Sequence, residues 1–183
     1  FVGALLVEAV SIADLLVNVI EAAPEPALVT SEVTASLIWS LRTWVVANIF
    51  LIASGIDIGK PSTEFIEKQI PDHEKVIELA KKLLSKYDGK IEIPSDVALN
   101  KDGKRYGTNV ENLPEKYPLF DIGVDTLVRY IQIIENAGTI IANGPMGLFE
   151  DSELSTGTNE IFSAISKSKG MTVVGGGETA MAF

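Results

Sequence analysis

Two short stretches of this sequence carry the pattern best suited to chemistry. Each is an apolar run followed at once by glycines. The first reads Thr139-Ile-Ile-Ala-Asn143-Gly144-Pro145-Met146-Gly147-Leu148-Phe149-Glu150, and the second Met171-Thr-Val-Val174-Gly175-Gly176-Gly177-Glu178-Thr179. A short apolar run is a strand candidate. Glycine after it lets the backbone approach a ligand closely and leaves N–H groups free to meet an anion. If both runs belong to one parallel sheet, their loops leave from the same edge, at the carboxyl ends of the strands, where ligands bind in such sheets. A helix starting at Glu178 would add the favourable field of its N-terminus for a phosphate. Glu150, just past the first loop, is suited to accept hydrogen bonds from ribose hydroxyls. Glycines also make plain turns, so one such loop decides little. Two of them after consecutive strand candidates favour a nucleotide site. The sequence lacks G-x-x-x-x-G-K-[ST], which excludes a P-loop, and no G-x-G-x-x-G follows the first strand candidate, which weakens a dinucleotide reading.

Composition narrows the partners. The chain has 183 residues, with 15 Lys and Arg against 25 Asp and Glu, for a net charge of −10. A surface this acidic repels a nucleic-acid backbone, although a phosphate can still be held locally by N–H groups. There is no cysteine and one histidine, His73, which removes disulfides, thiolate nucleophiles, Cys-ligated metals and multi-His sites. Absence of cysteine suits a reducing, cytoplasmic setting. His73, following Pro71 and Asp72 at a helix start, reads as a surface residue. Residues 33–53 are apolar over about a bilayer's span, but Arg42 near the middle costs about 3 kcal/mol on insertion. A buried core helix is therefore favoured over a membrane span. Residues 1–20 are also apolar. They lack a basic start and carry Glu8 and Asp14, so they do not read as a signal peptide.

The elements that must position the loops follow from periodicity and breakers. Leu5, Leu6, Ala9, Ile12, Ala13 and Leu16 recur at helical spacing up to Pro24 and Pro26. Residues 27–30 form a strand candidate. Ser62 is expected to cap a helix running to Gln69, and Asp72 the next one. That next helix carries an apolar stripe of Val76, Ile77, Ala80, Leu83 and Leu84, with Glu78 and Lys82 paired on its wet face. Residues 91–94 suggest a strand, and Asn100-Lys-Asp-Gly103 suggests a tight hairpin turn. Leu127, Val128, Ile131, Ile133 and Ile134 mark a helix after Gly123. Residues 139–142 and 171–174 are strands, with a helix at Phe162, Ala164 and Ile165 between them. Such alternation predicts an α/β fold, with a mainly parallel sheet and helices on both faces.

These strings resemble a known family. Asn143-Gly-Pro-Met-Gly-Leu-Phe-Glu150, then Gly157 and Thr158, then Gly175, Gly176 and Gly177, look like the nucleotide half of phosphoglycerate kinases. Ala47-Asn-Ile-Phe-Leu-Ile-Ala-Ser-Gly55, Gly59, Ile93-Pro-Ser-Asp96, Asp121-Ile-Gly123 and Thr126 match in the same order. Ile56-Asp-Ile-Gly59 and the hairpin near Asn100 are most similar to archaeal members. Gly3-Ala-Leu-Leu, Glu8, Pro24 and Pro26 look like the helix that joins the family's two domains, here residues 1–22. The resemblance implies one three-layer, Rossmann-like nucleotide-binding domain over residues 1–183. The family transfers a phosphoryl group between 1,3-bisphosphoglycerate and ADP, using Mg²⁺, in glycolysis. Carried over by position, Glu150 would hold the ribose, and Gly123 and Leu148 would line the adenine pocket. Asn143, Gly144, Gly175, Gly176, Gly177 and Thr179 would face the phosphates. Glu178 stands where many members place an Asp that meets the magnesium nucleotide, and where archaeal members often have His.

The sequence departs from the family over residues 30–46, and it has no lysine between Phe1 and Lys60. The family's substrate domain, which precedes this segment, has no counterpart here. The expectation is a domain that binds ADP or ATP weakly and does not turn over alone. The other reading is an engineered or degenerate domain without a ligand, self-associating as a homodimer through the apolar stretch 33–53.

Overall fold

The computed structural model describes residues 43–70, 72–175 and 177–182. The helix expected over 1–22, the strand candidate 27–30, most of the divergent segment 30–46, Arg42 and Gly176 lie outside the described residues.

The described residues begin with helix α1 (Thr43–Ala53). Every residue from Trp44 to Leu51 is buried, Asn48 included. A helix wrapped on all sides shows no apolar stripe, which is why its sequence reads as uniformly hydrophobic. It is only 11 residues long. Among the described residues no helix is long and apolar enough to cross a membrane. The described part of the 33–53 stretch is thus covered within this chain, and the exposed large apolar side chains stand elsewhere, among them Met171, Val173 and Val128. Trp44 stacks obliquely on Phe65 and Phe120, with centroids 5.0 and 4.9 Å away.

Helix α2 (Lys60–Gln69) begins with Pro61 in its first turn. Its N-cap is Gly59, at φ +81°, where a side chain would also strike the Glu115 carbonyl at 2.5 Å. Ser62 is therefore inside the helix, and its hydroxyl accepts the Leu119 N–H at 3.0 Å. Helix α3 (His73–Lys86) does have Asp72 at its N-cap, but the carboxylate takes the Lys75 ammonium at 3.0 Å instead of a backbone N–H. Glu78 pairs with Lys81, not Lys82, and both are well exposed. His73 is half-buried rather than fully at the surface.

Strands β1 (Asp96–Lys101) and β2 (Lys104–Asn109) form an antiparallel hairpin. Its two turn residues, Asp102 and Gly103, have φ of +55° and +80°, the mirror-image turn whose twist matches the strands. Residues 91–94 are not a strand. Pro94 has no ladder donor, and the carbonyls of Glu92 and Ile93 accept from the Tyr130 hydroxyl and the Arg129 guanidinium. Strand β3 (Leu119–Ile122) pairs with the other side of β1, also antiparallel, through a bulge at Ala98 and Leu99. Helix α4 (Val124–Asn136), strand β4 (Thr139–Asn143), helix α5 (Thr156–Lys167), strand β5 (Met171–Gly175) and helix α6 (Gly177–Ala182) complete the order. β4 and β5 pair in parallel, so β4, α5 and β5 form a βαβ unit. The fold is α/β and Rossmann-like; β2, β1 and β3 form an antiparallel three-stranded sheet in that order, and β4 and β5 a separate parallel pair.

Strand β3 contributes to two apolar clusters. One joins α1, α2 and α3 to Val97, Leu99 and Leu119. The other joins α4, α5 and β4 to Ile122. Leu99 has no exposure, so Leu99→Ala should cost about 2–5 kcal/mol. Val128→Ala, at a half-exposed site, should change stability by less than about 0.5 kcal/mol. Urea unfolding of the two variants checks the pair.

Candidate functional site

The parallel register runs from Thr139 opposite Met171 to Asn143 opposite Gly175. Both strands therefore end together, and both glycine loops leave from one edge. The Gly144 N–H donates to the Thr179 hydroxyl at 2.6 Å, tying the first loop to the helix that follows the second. Thr179 is buried at this junction. Gly144 has φ +111°, a conformation that favours glycine.

The first loop is seated by a second threonine. The Gly147 N–H donates to the Thr158 hydroxyl at 2.9 Å, and Thr158 has no exposure. The expectation that the loop's glycines leave their N–H groups free does not hold for Gly144 and Gly147, because each is satisfied by a buried threonine. Leu148 is half-buried and its carbonyl accepts the Asp151 N–H at 3.1 Å. Glu150 is exposed two residues further on.

Below the loop lies Asp121 of β3, whose side chain has no exposure. Its Oδ2 accepts the Gly157 N–H at 2.8 Å, and its Oδ1 accepts the Ile122 N–H at 2.8 Å. The Arg105 guanidinium of β2 donates to Oδ2 at 2.5 Å and to the Ile122 carbonyl at 2.5 Å. Every one of these carboxylate contacts is a donor, the pattern an ionised group requires. Burial pushes the carboxyl up from its ordinary range, against the lowering effect of Arg105 and the two backbone N–H groups. A side chain at Gly157 would collide with the Asp121 carboxylate, and one at Gly147 would meet the Leu154 carbonyl at 2.5 Å and Asp121 Cγ at 2.6 Å.

Gly123 follows β3 as the N-cap of α4. The Asp96 carboxylate fills the space where its side chain would be. That carboxylate caps the helix, accepting from Thr126 N–H at 2.7 Å and from Asp125 N–H at 3.0 Å. The glycine at 123 is thus required by packing, whatever else it faces. Of Asn143 and Glu178 only the backbone is described. The former ends β4, and the latter is the second residue of α6.

The geometry brings Asn143, Gly144, Gly175, Gly177, Glu178 and Thr179 to one rim, with Leu148 and Glu150 further along the first loop. Asp121, Arg105, Thr158 and Asp96 hold the rim and its neighbour Gly123 in place, and reading the sequence assigned them no role. One signal was visible: an acid inside the apolar run Leu119-Phe-Asp-Ile122 must find partners when the strand is buried.

The fold and rim define a Rossmann-like α/β domain with paired glycine loops at the carboxyl edge of its parallel strands. The phosphoglycerate kinase family model matches residues 41–183. Among curated relatives, the phosphoglycerate kinase of Thermoplasma acidophilum is 46% identical over 139 residues, 76% of this chain and 34% of that protein. That of Methanopyrus kandleri is 43% identical over 133 residues, 73% of this chain and 32% of the relative. The crystal structure of phosphoglycerate kinase from Pyrococcus horikoshii superposes with a TM-score of 0.69 at 34% identity, covering 75% of this chain and 35% of that one. This chain belongs to the phosphoglycerate kinase family. It spans about a third of the length of the relatives it matches.

The packing around the first loop is directly testable. Gly147→Ala should cost about 1–3 kcal/mol, because backbone and a buried carboxylate must both give way. Gly138→Ala, which meets nothing within 4 Å, should be near neutral. Thermal unfolding of both variants distinguishes them.

Proposed function

We propose that this chain is the nucleotide-binding part of a phosphoglycerate kinase and holds ADP or ATP across the rim of its two glycine loops. The observation that carries this reading is the bond from Gly144 N–H to the Thr179 hydroxyl, which makes one continuous edge of two loops. In this reading Glu150 meets the ribose, and Gly123 and Leu148 border the adenine. Asn143, Gly144, Thr179 and the glycine loop 175–177 face the phosphates. Since Gly144 and Gly147 already use their N–H groups, the second loop and the start of α6 supply the backbone donors.

Magnesium belongs to the same reading. The ion is commonly held by one or two carboxylates together with the phosphates of its nucleotide. Glu178, beside the glycine loop, would provide that carboxylate, and among the described residues no group of three acids or histidines suggests a separate metal centre. The ion would supply neutralisation of the charge that phosphoryl transfer concentrates on the phosphate oxygens. The family reaction joins ADP to a phosphoryl donor, 1,3-bisphosphoglycerate. This chain's share of it is to position the nucleotide. In this reading turnover needs the substrate-binding part of the family as well, and a cytoplasmic, glycolytic setting belongs to the same reading.

Calorimetric titration with Mg-ADP tests the proposal. Heat of binding at or below millimolar nucleotide is expected, and a folded protein that releases none overturns it. Glu150→Ala should weaken binding about tenfold, through loss of a hydrogen bond to a charged acceptor. Phosphoglycerate-dependent ATP consumption by the chain alone should be absent.

A further inference from the structure

The β2 strand is polar and mostly exposed, yet one of its residues reaches into the interior. Arg105 crosses β1 and divides its guanidinium between two acceptors on β3, the Asp121 carboxylate and the Ile122 carbonyl. Each acceptor leads to the proposed nucleotide site by a short covalent or packed path. Asp121 holds the Gly157 N–H and fills the space beside Gly147, so it seats both the first loop and the start of α5. The Ile122 carbonyl immediately precedes Gly123. One planar fork therefore fixes the relative position of Gly123 on one side and Gly147-Leu148 on the other, the two borders assigned to the adenine. Among the described residues Asp121 is the one charged side chain that is buried, so its position depends on keeping that fork.

We propose that Arg105, acting through Asp121, is a positioning residue for the nucleotide, although neither side chain is assigned a contact with it. The inference rests on the nucleotide reading above and adds that affinity is set in part from the hairpin. Arginine matters here for its shape. A lysine in its place keeps the charge but offers no rigid fork to bridge a carboxylate and a carbonyl at once.

The test compares wild-type protein, Arg105→Met and Arg105→Lys, with Asp121→Asn as a further variant. Arg105→Met strips the buried Asp121 of its cation and costs stability, so affinities are compared where circular dichroism shows each variant folded. Arg105→Lys, which keeps the charge, carries the test where the Met variant does not fold. The asparagine must turn an amide donor toward one of the N–H groups its predecessor satisfied. Two readouts are taken: Mg-ADP affinity by calorimetry, and the backbone amide resonances of Gly123, Gly147 and Gly157 without nucleotide. Arg105→Met should weaken binding about tenfold and move all three resonances, while those of Gly55 and Gly89, in the other half of the fold, stay put. Arg105→Lys should fall between. A Met variant that binds within about twofold of wild type, even with a lowered melting temperature, shows a merely structural pair and overturns the proposal; so do unmoved resonances at Gly147 and Gly157. Folded wild-type protein that takes up no Mg-ADP overturns the nucleotide reading and this one with it, an outcome distinct from wild-type binding with unaffected variants.

Discussion

A buried carboxylate organises this domain. Asp121 sits where water cannot reach it, and removing one partner of such a group typically costs about 3–5 kcal/mol. Its surroundings are what that constraint demands: a guanidinium, two backbone N–H groups, and glycines at 147 and 157 to leave room for them. The shape of the first loop follows. Gly157 can start α5 close to β3 only because it has no side chain, and Thr158, its neighbour, is thereby placed to hold Gly147. A loop that looks like a ligand cradle is also the lid over a charge.

The rim and the fold class were legible in the residues because their signals are local. Apolar runs ending in glycine read as strands with ligand loops, and both strands and their shared edge are present. Asp102 and Gly103 announced the hairpin through the one turn that suits them. What escaped was decided by contacts distant in sequence. Residues 91–94 have strand composition, but their carbonyls are captured by Arg129 and Tyr130, more than thirty residues away. Ser62 has the chemistry of a cap, but Gly59 takes that position and the hydroxyl serves Leu119 instead. The roles of Asp121 and Arg105 needed the register of three strands to be known.

Helix α1 shows why an apolar run is ambiguous by itself. Its residues suit a bilayer, a self-associating face or a core equally well. The aromatic trio of Trp44, Phe65 and Phe120, together with burial from Trp44 to Leu51, decides for the core. The same helix falls within the family match.

The contrast between the two kinds of strand pairing bears on how the protein comes into being on the ribosome. The β1–β2 ladder closes over two turn residues and can zip up as soon as it emerges. The parallel ladder must wait for residues 144–170 to be made and for β5 to follow. The glycine-lined edge therefore forms only after both apolar clusters have residues to condense on. A nascent chain interrupted before residue 171 would hold most of its core and none of its second loop.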